Sequence, residues 1–282
     1  MDNELIRVPI SQLYENRLIN TEGSVAREQP VTIIFNNKEL VTLLCTPVDV
    51  NYLAVGFLFS EGFINSKNDI QEVLVDKEKG VVRVNGKNQE EIEAGILHKR
   101  VITSGCGRGA AFYNIADLQN ISKIESKVSL QTSSIIQLTL DFQHRSEIYQ
   151  KTHGIHSAAL CEGKEILIFH EDVGRHNAVD KIIGECLMKD ITTADRVLIS
   201  SGRISSEILL KVAHRKIPIL VSMSAPTDLA LRLADQLGIT IVGLVKARKM
   251  TIYSNDWRIE HSPDENIRVG YPGTCFEHEE VI

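Results

Sequence analysis

Apolar positions along the chain first recur with a period of two. Residues 5–13 and 31–46 alternate in this way and predict strands, the second pair (VTIIFNNKELVTLLC) forming a hairpin turned at Asn36-Asn37-Lys38. The period then lengthens. Asp49 to Glu61 predicts a helix that is apolar on every side, with Leu53, Val55, Leu58 and Phe59 too hydrophobic for a surface and Gly62 as its stop. Short strands at 72–75 and 81–85 follow, joined by DKEKG, and 89–97 reads as a charged helix or loop. These segments predict a small α+β unit. Residues 113–150 are polar and mixed, with weak helical signals at 115–124 and 146–150, and read as a connection.

From Lys151 the pattern changes to an alternation of strands and helices. HSAALCEGKEILIFHED predicts a hairpin turned at Glu162-Gly163-Lys164, and Val179, Ile182, Ile183, Cys186 and Leu187 line one face of a helix over 177–189, with Asn177 as its N-cap. Then come a strand (196–201), a helix (204–215), a strand (217–224), a helix from Ala225-Pro226-Thr227 to Leu237 stopped by Gly238, and a strand (239–246). Strand, helix, strand, helix, strand implies a mostly parallel sheet. The expected division is an α+β domain over 1–112, a connection over 113–150, an α/β domain over 151–259 and a tail over 260–282.

Composition narrows the class. With 282 residues, 43% hydrophobic and 24% charged, the chain has material for two domains. No run of eighteen apolar residues occurs and the opening MDNELIRVPIS lacks a signal peptide's basic and apolar regions, so a cytoplasmic protein with no membrane association is expected. A net charge of −6 disfavours bare nucleic acid as a ligand. Five widely spaced cysteines without a CxxC pair argue against a disulfide framework and a structural zinc site.

Candidate chemistry falls at two places. In sheets of this kind ligands lie beyond the carboxyl ends of the strands. Those handovers are HEDVGRHN, SSGRISSE and SMSAPTD, with KARK after the last strand, so Arg175, His176, Ser201, Arg203, Ser224, Thr227, Lys246, Arg248 and Lys249 would gather along one edge as an anion site. A salt-bridge cluster of Glu171, Asp172, Arg175 and Lys181 is the competing reading, and loops are polar in any case. The second place is VITSGCGRGAAF (101–112), where Gly105, Gly107 and Gly109 deny Cys106 a packed niche and Arg108 would favour its thiolate. Cys106 is therefore the candidate nucleophile. Cys45, Cys161 and Cys186 sit on apolar faces and are expected to be inert, and Cys275 has no comparable setting.

The strings HEDVGRHNAVDKIIG, ISSGRISSEILLKV, VSMSAPTDLALRLA and TPVDVNYLAVGFLFSEGFI resemble the formate dehydrogenase accessory sulfurtransferase family, FdhD, over roughly residues 28–259. The resemblance implies a cytoplasmic homodimer that takes persulfide sulfur from a cysteine desulfurase. It passes that sulfur to the molybdenum bis(molybdopterin guanine dinucleotide) cofactor on its way to the formate dehydrogenase catalytic subunit. It further implies a C-terminal domain of cytidine-deaminase-like, three-layer fold. Cys106 matches the first cysteine of the family's CGxCG loop, where the persulfide forms, whereas the second is Gly109 here, leaving a single-thiol carrier. The family's cofactor segment corresponds to Leu244, Val245, Lys246, Ala247, Arg248 and Lys249, and its basic side chains suit the phosphates of a guanine nucleotide.

Two other readings compete. A zinc deaminase needs H-x-E and P-C-x-x-C at two helix starts, which here hold Arg175-His176-Asn177 and Gly202-Arg203, and His153 and His156 with Cys161 lack a fourth ligand; no metal is expected. A chaperone that shelters the cofactor and delivers it to the apoenzyme, with Cys106 a bystander, is the rival from another class.

Overall fold

The computed structural model describes residues 4–87, 101–102, 110–111 and 121–261. The chain opens with strands β1 (Leu5–Tyr14) and β2 (Arg17–Ala26), an antiparallel ribbon turned at Glu15-Asn16, both at positive φ (42° and 64°), as a two-residue hairpin turn of this hand requires. β3 (Gln29–Phe35) and β4 (Lys38–Cys45) turn at Asn36-Asn37 in the same way, with φ of 46° and 64°. Helix α1 (Val50–Ser60) follows, then β5 (Ile70–Asp76) and β6 (Val81–Gly86). These strands form a four-stranded sheet in the order β4-β3-β6-β5. Val31, Ile33, Phe35, Val82 and Val84 of that sheet pack against Leu53, Ala54, Phe57 and Leu58 of α1.

Two short strands, β7 (Val101–Ile102) and β8 (Ala110–Ala111), pair antiparallel on either side of the segment that contains Cys106. Cys106, Gly109 and the helical signals at 89–97 and 115–120 lie outside the described residues, as does Cys275.

The remainder of the chain builds a six-stranded sheet with helices on both faces, and a separate two-stranded sheet of β9 and β16. Its elements are β9 (Leu130–Gln131), α2 (Thr132–Arg145), α3 (Glu147–Thr152), β10 (His156–Glu162), β11 (Glu165–Asp172), α4 (Arg175–Met188), β12 (Val197–Ser200), α5 (Ser206–His214), β13 (Ile219–Ser222), α6 (Asp228–Leu237), β14 (Thr240–Lys246), β15 (Lys249–Ser254) and β16 (Ile259–Glu260). Strand order in the six-stranded sheet is β11-β10-β12-β13-β14-β15. Alternate residues serve opposite faces. Leu160, Leu198, Leu220 and Ile241 meet α4, α5 and α6, whereas Ala159, Ile199, Val221 and Val242 meet Ile135, Leu138 and Phe142 of α2. The stretch read from sequence as a connection, 113–150, thus contains a helix whose apolar side packs on one face of the sheet.

The expected mostly parallel sheet is corrected to a mixed one. Only β12/β13 and β13/β14 run parallel; β10/β11, β10/β12 and β14/β15 are antiparallel. The reason is local, because β10–β11 and β14–β15 are joined by two-residue turns, which can connect only antiparallel neighbours. Among the described residues no helix is long and apolar enough to cross a membrane.

The N-terminal β-rich domain and the C-terminal mixed α/β domain meet where α1 crosses α4. A Cβ on Gly56 would lie 1.8 Å from the Asp180 carbonyl oxygen, and one on Gly184 would lie 1.9 Å from that of Tyr52. The two helices therefore touch backbone to backbone.

Candidate functional site

Parallel β12, β13 and β14 bring their carboxyl ends to one edge. The antiparallel pairs Ala158↔Ser200 and His156↔Asp172 bring the start of β10 and the end of β11 to the same edge. The loops there are stitched together by backbone bonds. Ile204 N–H donates to the Ala225 carbonyl (3.2 Å), Thr227 N–H to Ile204 (2.9 Å) and Leu244 N–H to Ser224 (3.1 Å). Ser222 Oγ donates to the Gly202 carbonyl at 2.7 Å. Of the expected residues, Arg175, His176, Arg203, Ser224 and Thr227 stand on these linked loops. Lys246, Ala247, Arg248 and Lys249 form the exposed β14–β15 turn at the end of the same sheet.

Arg175 is the side chain best prepared for a ligand. Its aliphatic stem lies over Gly202, where a Cβ would come within 2.8 Å of Arg175 Cδ. Its Nε and Nη2 are buried and have no protein partner, although a buried donor left unpaired is destabilising. Two histidines flank it. Burial holds His156 below its ordinary pKa, with Arg175 adding to the effect, and Ser201 Oγ lies 3.1 Å from its Nδ1. His176 is pushed down to about 3 by burial first, then by Lys211, Arg175, His156 and Arg203. Its neutral Nε2–H faces Glu207 Oε2 at 3.2 Å. Both rings are thus neutral hydrogen-bonding groups beside a guanidinium with free N–H groups, a combination that suits an anion carrying a polar ring.

The neutral state of His176 has a consequence for acid stability. Because its folded value is depressed, the unfolded ring takes a proton below about 6.5 and the folded ring does not. Stability from this position is fully present above that pH and is lost as pH falls toward 3. His176→Gln should flatten the acid limb by an amount on the order of a few kcal/mol at its lower end. Urea midpoints measured for both proteins across that window provide the check, and parallel pH profiles would contradict the assignment.

Other expected residues have different occupations. Helix α4 starts earlier than expected, with Gly174 as N-cap, so Arg175 and His176 belong to its first turn. Asn177 is not the cap: its Nδ2 donates to the Leu44 carbonyl (2.9 Å) and to Asp172 Oδ1 (2.8 Å), holding the two domains together. Lys181 is not a free cation. It is 1% exposed, pairs with Asp172 Oδ2 at 2.8 Å and donates to the carbonyls of Thr46 and Glu171. Gly174 N–H and Thr46 N–H complete the shell of the Asp172 carboxylate. The salt-bridge reading therefore holds for Asp172 and Lys181 and fails for Arg175. Thr227 caps α6 by accepting from Ala230 N–H, and Val245, 2% exposed, points into the core, leaving its backbone alone for a ligand.

His156 was weighed from sequence only as a metal ligand. The signal for its place was the hairpin register, which sets it opposite Asp172 at the site edge. Among the described residues no group of three or more His, Cys, Asp or Glu could hold a metal ion. Cys45, Cys161 and Cys186 are free and buried, and burial pushes each thiol up to about 12, so none offers a thiolate near neutrality.

Comparison with known proteins gives a concordant picture over nearly the whole chain. The FdhD/NarQ family model matches residues 26–260. The sulfur carrier protein FdhD of Staphylococcus aureus (strain MRSA252) is 40% identical over 251 residues, 89% of this chain and 95% of its own. Those of Bacillus pumilus and Bacillus subtilis are 39% and 38% identical over 250 and 245 residues, covering 89% and 87% of this chain and 95% and 94% of their own. The crystal structure of a candidate formate dehydrogenase accessory protein from Desulfotalea psychrophila superposes with a TM-score of 0.76 at 25% identity, over 91% of this chain and 100% of that one.

Proposed function

Because the chain belongs to the FdhD/NarQ family, we propose that it is a sulfur carrier, a sulfurtransferase that works through a persulfide on Cys106 in the maturation of formate dehydrogenase. The observation that carries this reading is its likeness to sulfur carrier proteins along 87–89% of its length. The donor is a cysteine desulfurase. The Cys106 thiolate attacks the outer sulfur of the desulfurase persulfide, a new S–S bond forms on Cys106, and the donor cysteine leaves as a thiolate. The S–S bond on Cys106 then breaks with Cys106 leaving as a thiolate, and the outer sulfur passes to the molybdenum bis(molybdopterin guanine dinucleotide), the cargo and acceptor here, whose metal would supply the two electrons that make it sulfide before the catalytic subunit of formate dehydrogenase receives it. With Gly109 at the second loop position, transfer at this site proceeds through one thiol.

The acceptor's guanine nucleotide arm is assigned to the sheet edge. Arg175 Nε and Nη2 are buried donors lacking partners, which fits a phosphate. Arg203, Lys246, Arg248 and Lys249 are exposed on loops of the same sheet edge, which His176, Ser224, Leu244 and Thr227 also border. Strand order 2-1-3-4-5-6 in the larger sheet, counted from β10, supports the deaminase-like reading of this domain. The protein is read as a cytoplasmic homodimer with boundaries near 112 and 259, the helices of 132–152 being counted with the larger domain and not with a connection that ends at 150.

Incubation with a cysteine desulfurase and cysteine tests the carrier reading: intact-mass analysis should show one added sulfur per chain, located on Cys106. A chaperone without sulfur chemistry would show none. The edge is tested separately. Arg175→Gln should weaken guanine nucleotide binding about ten- to hundredfold, and Arg203→Glu should abolish cofactor retention. Titration calorimetry at two salt concentrations reads both, and unchanged affinities would place the nucleotide elsewhere.

A further inference from the structure

The start of α4 is held by a segment of the other domain. Pro47 has no N–H to continue β4 and restricts the residue ahead of it to extended backbone, so the strand ends at Cys45 and Thr46 stands just past it. Thr46 is 1% exposed, and its three polar groups all meet the β11–α4 loop or the first turns of α4. Its N–H donates to Asp172 Oδ2 (3.1 Å), its Oγ1 accepts from Val173 N–H (3.2 Å) and its carbonyl accepts from Lys181 Nζ (3.2 Å). Beside it the Leu44 carbonyl accepts from Asn177 Nδ2 at 2.9 Å. Asp172 Oδ1 accepts from Gly174 N–H (2.9 Å) and from the same Asn177 amide (2.8 Å). A Cβ on Gly174 would lie 2.8 Å from that amide nitrogen, so the glycine leaves the room in which Asn177 folds back.

Arg175 follows this loop directly. The N–H groups of the two residues ahead of it are both held, that of Val173 by Thr46 and that of Gly174 by Asp172. A guanidinium whose buried Nε and Nη2 lack protein partners gains by swinging toward water, because an unpaired buried donor is costly. What opposes the swing is a fixed backbone at its root and the packing of its stem on Gly202. The grip at the root is stiff, since a β-branched side chain has few χ1 choices and the strand end aims the Thr46 hydroxyl.

We propose that Thr46 is a positioning residue for the anion site: its hydroxyl fixes the Val173 peptide, and through it the direction in which Arg175 meets a phosphate. This role rests on the reading of Arg175 as a phosphate ligand, and it goes further by making the affinity of the sheet edge a property of both domains. The physical basis is preorganisation, because a loop already held in its binding shape loses less freedom when the ligand arrives. The competing role for Thr46 is that of one more bond between the domains. Ser60 supplies the comparison, since its Oγ donates to Asp180 Oδ1 at 2.7 Å across the same α1–α4 seam and it is 2% exposed, yet it makes no bond to the β11–α4 loop.

Titration calorimetry with guanosine diphosphate on the full chain and on Thr46→Val, Thr46→Ser, Ser60→Ala and Arg175→Gln separates these roles. Thr46→Val keeps the shape and loses the acceptor, so affinity should fall about five- to tenfold, whereas Thr46→Ser should stay within about twofold of the parent. Ser60→Ala should lower the melting temperature and leave the affinity where it was. Parent-like binding by Thr46→Val alongside weakened binding by Arg175→Gln overturns the positioning role and leaves the nucleotide site standing. Equal weakening by Ser60→Ala also overturns it, because loosened docking of the domains would then be the cause. Unchanged binding by Arg175→Gln removes the nucleotide site and this role with it. Should Thr46→Val not fold, hydrogen exchange on the parent decides. Reciprocity requires the nucleotide to slow exchange of Val173 N–H at least about fivefold more than that of Thr32 N–H, which bonds to Gly80 in the smaller domain's sheet. Equal slowing at the two amides overturns the proposal.

Discussion

Cys106→Ala should leave formate dehydrogenase without activation, and the substituted chain should unfold at the temperature of the parent. The loss should be complete, because the reaction forms and breaks an S–S bond at this one sulfur and Gly109 supplies no second thiol. None of the described cysteines can substitute: Cys45, Cys161 and Cys186 are buried, with thiols raised to about 12. Stability should be spared because a residue flanked by glycines on both sides contributes little packing. The measurements are enzyme activity in cells that carry each version of the chain, together with a thermal melt of each purified protein. Full activation by the alanine variant would turn the assignment toward the chaperone, with sulfur arriving by another route.

The second large effect is on stability. Lys181→Met should destabilise the fold by roughly 3–5 kcal/mol, a major share of what holds a domain folded. The Asp172 carboxylate has 0% exposure, and among the described residues Lys181 is its only cationic partner. Removing the ammonium strands a buried charge and takes one donor from each of the Thr46 and Glu171 carbonyls. Restoring shape without charge, as Lys181→Met with Asp172→Asn, should recover part of the loss. Urea unfolding decides the matter, since a midpoint unmoved by the single substitution would mean that the pair contributes nothing net.

Local signals in the sequence were read well where the physics is local. Asn36-Asn37 demanded a tight turn and adopts positive φ at both residues, and Gly238 ends α6 in the left-handed conformation with φ of 70°. The all-round apolar character of Asp49 to Glu61 announced a helix buried on more than one side, which α1 is. Long-range partnership was not legible. Asn177 looked like a cap because caps are chosen from short polar residues, and nothing nearby revealed that Leu44, 133 positions earlier, would claim its amide. Strand direction escaped for a similar reason: alternation reports which face is buried and carries no information on whether a neighbour runs parallel or antiparallel. The loops of the sheet edge were nevertheless located, because a strand-to-helix handover marks its own place in the chain.

The crossing of α1 and α4 changes what a domain means in this protein. Eight of the eleven residues of α1 are buried, and part of that burial is supplied by a helix belonging to the other domain. Gly56 and Gly184 put peptide planes in contact with no side chain between them to slide or bend. The division seen in chain order is therefore one of topology and not of mechanics. The smaller domain cannot be lifted out as a cassette, since its central helix would present to water a groove shaped only for α4. Evolution or engineering that shortens, swaps or duplicates these units must carry both helices together, and the natural joint for recombination lies away from the seam, in the loops of the sheet edge and in the N-terminal ribbon.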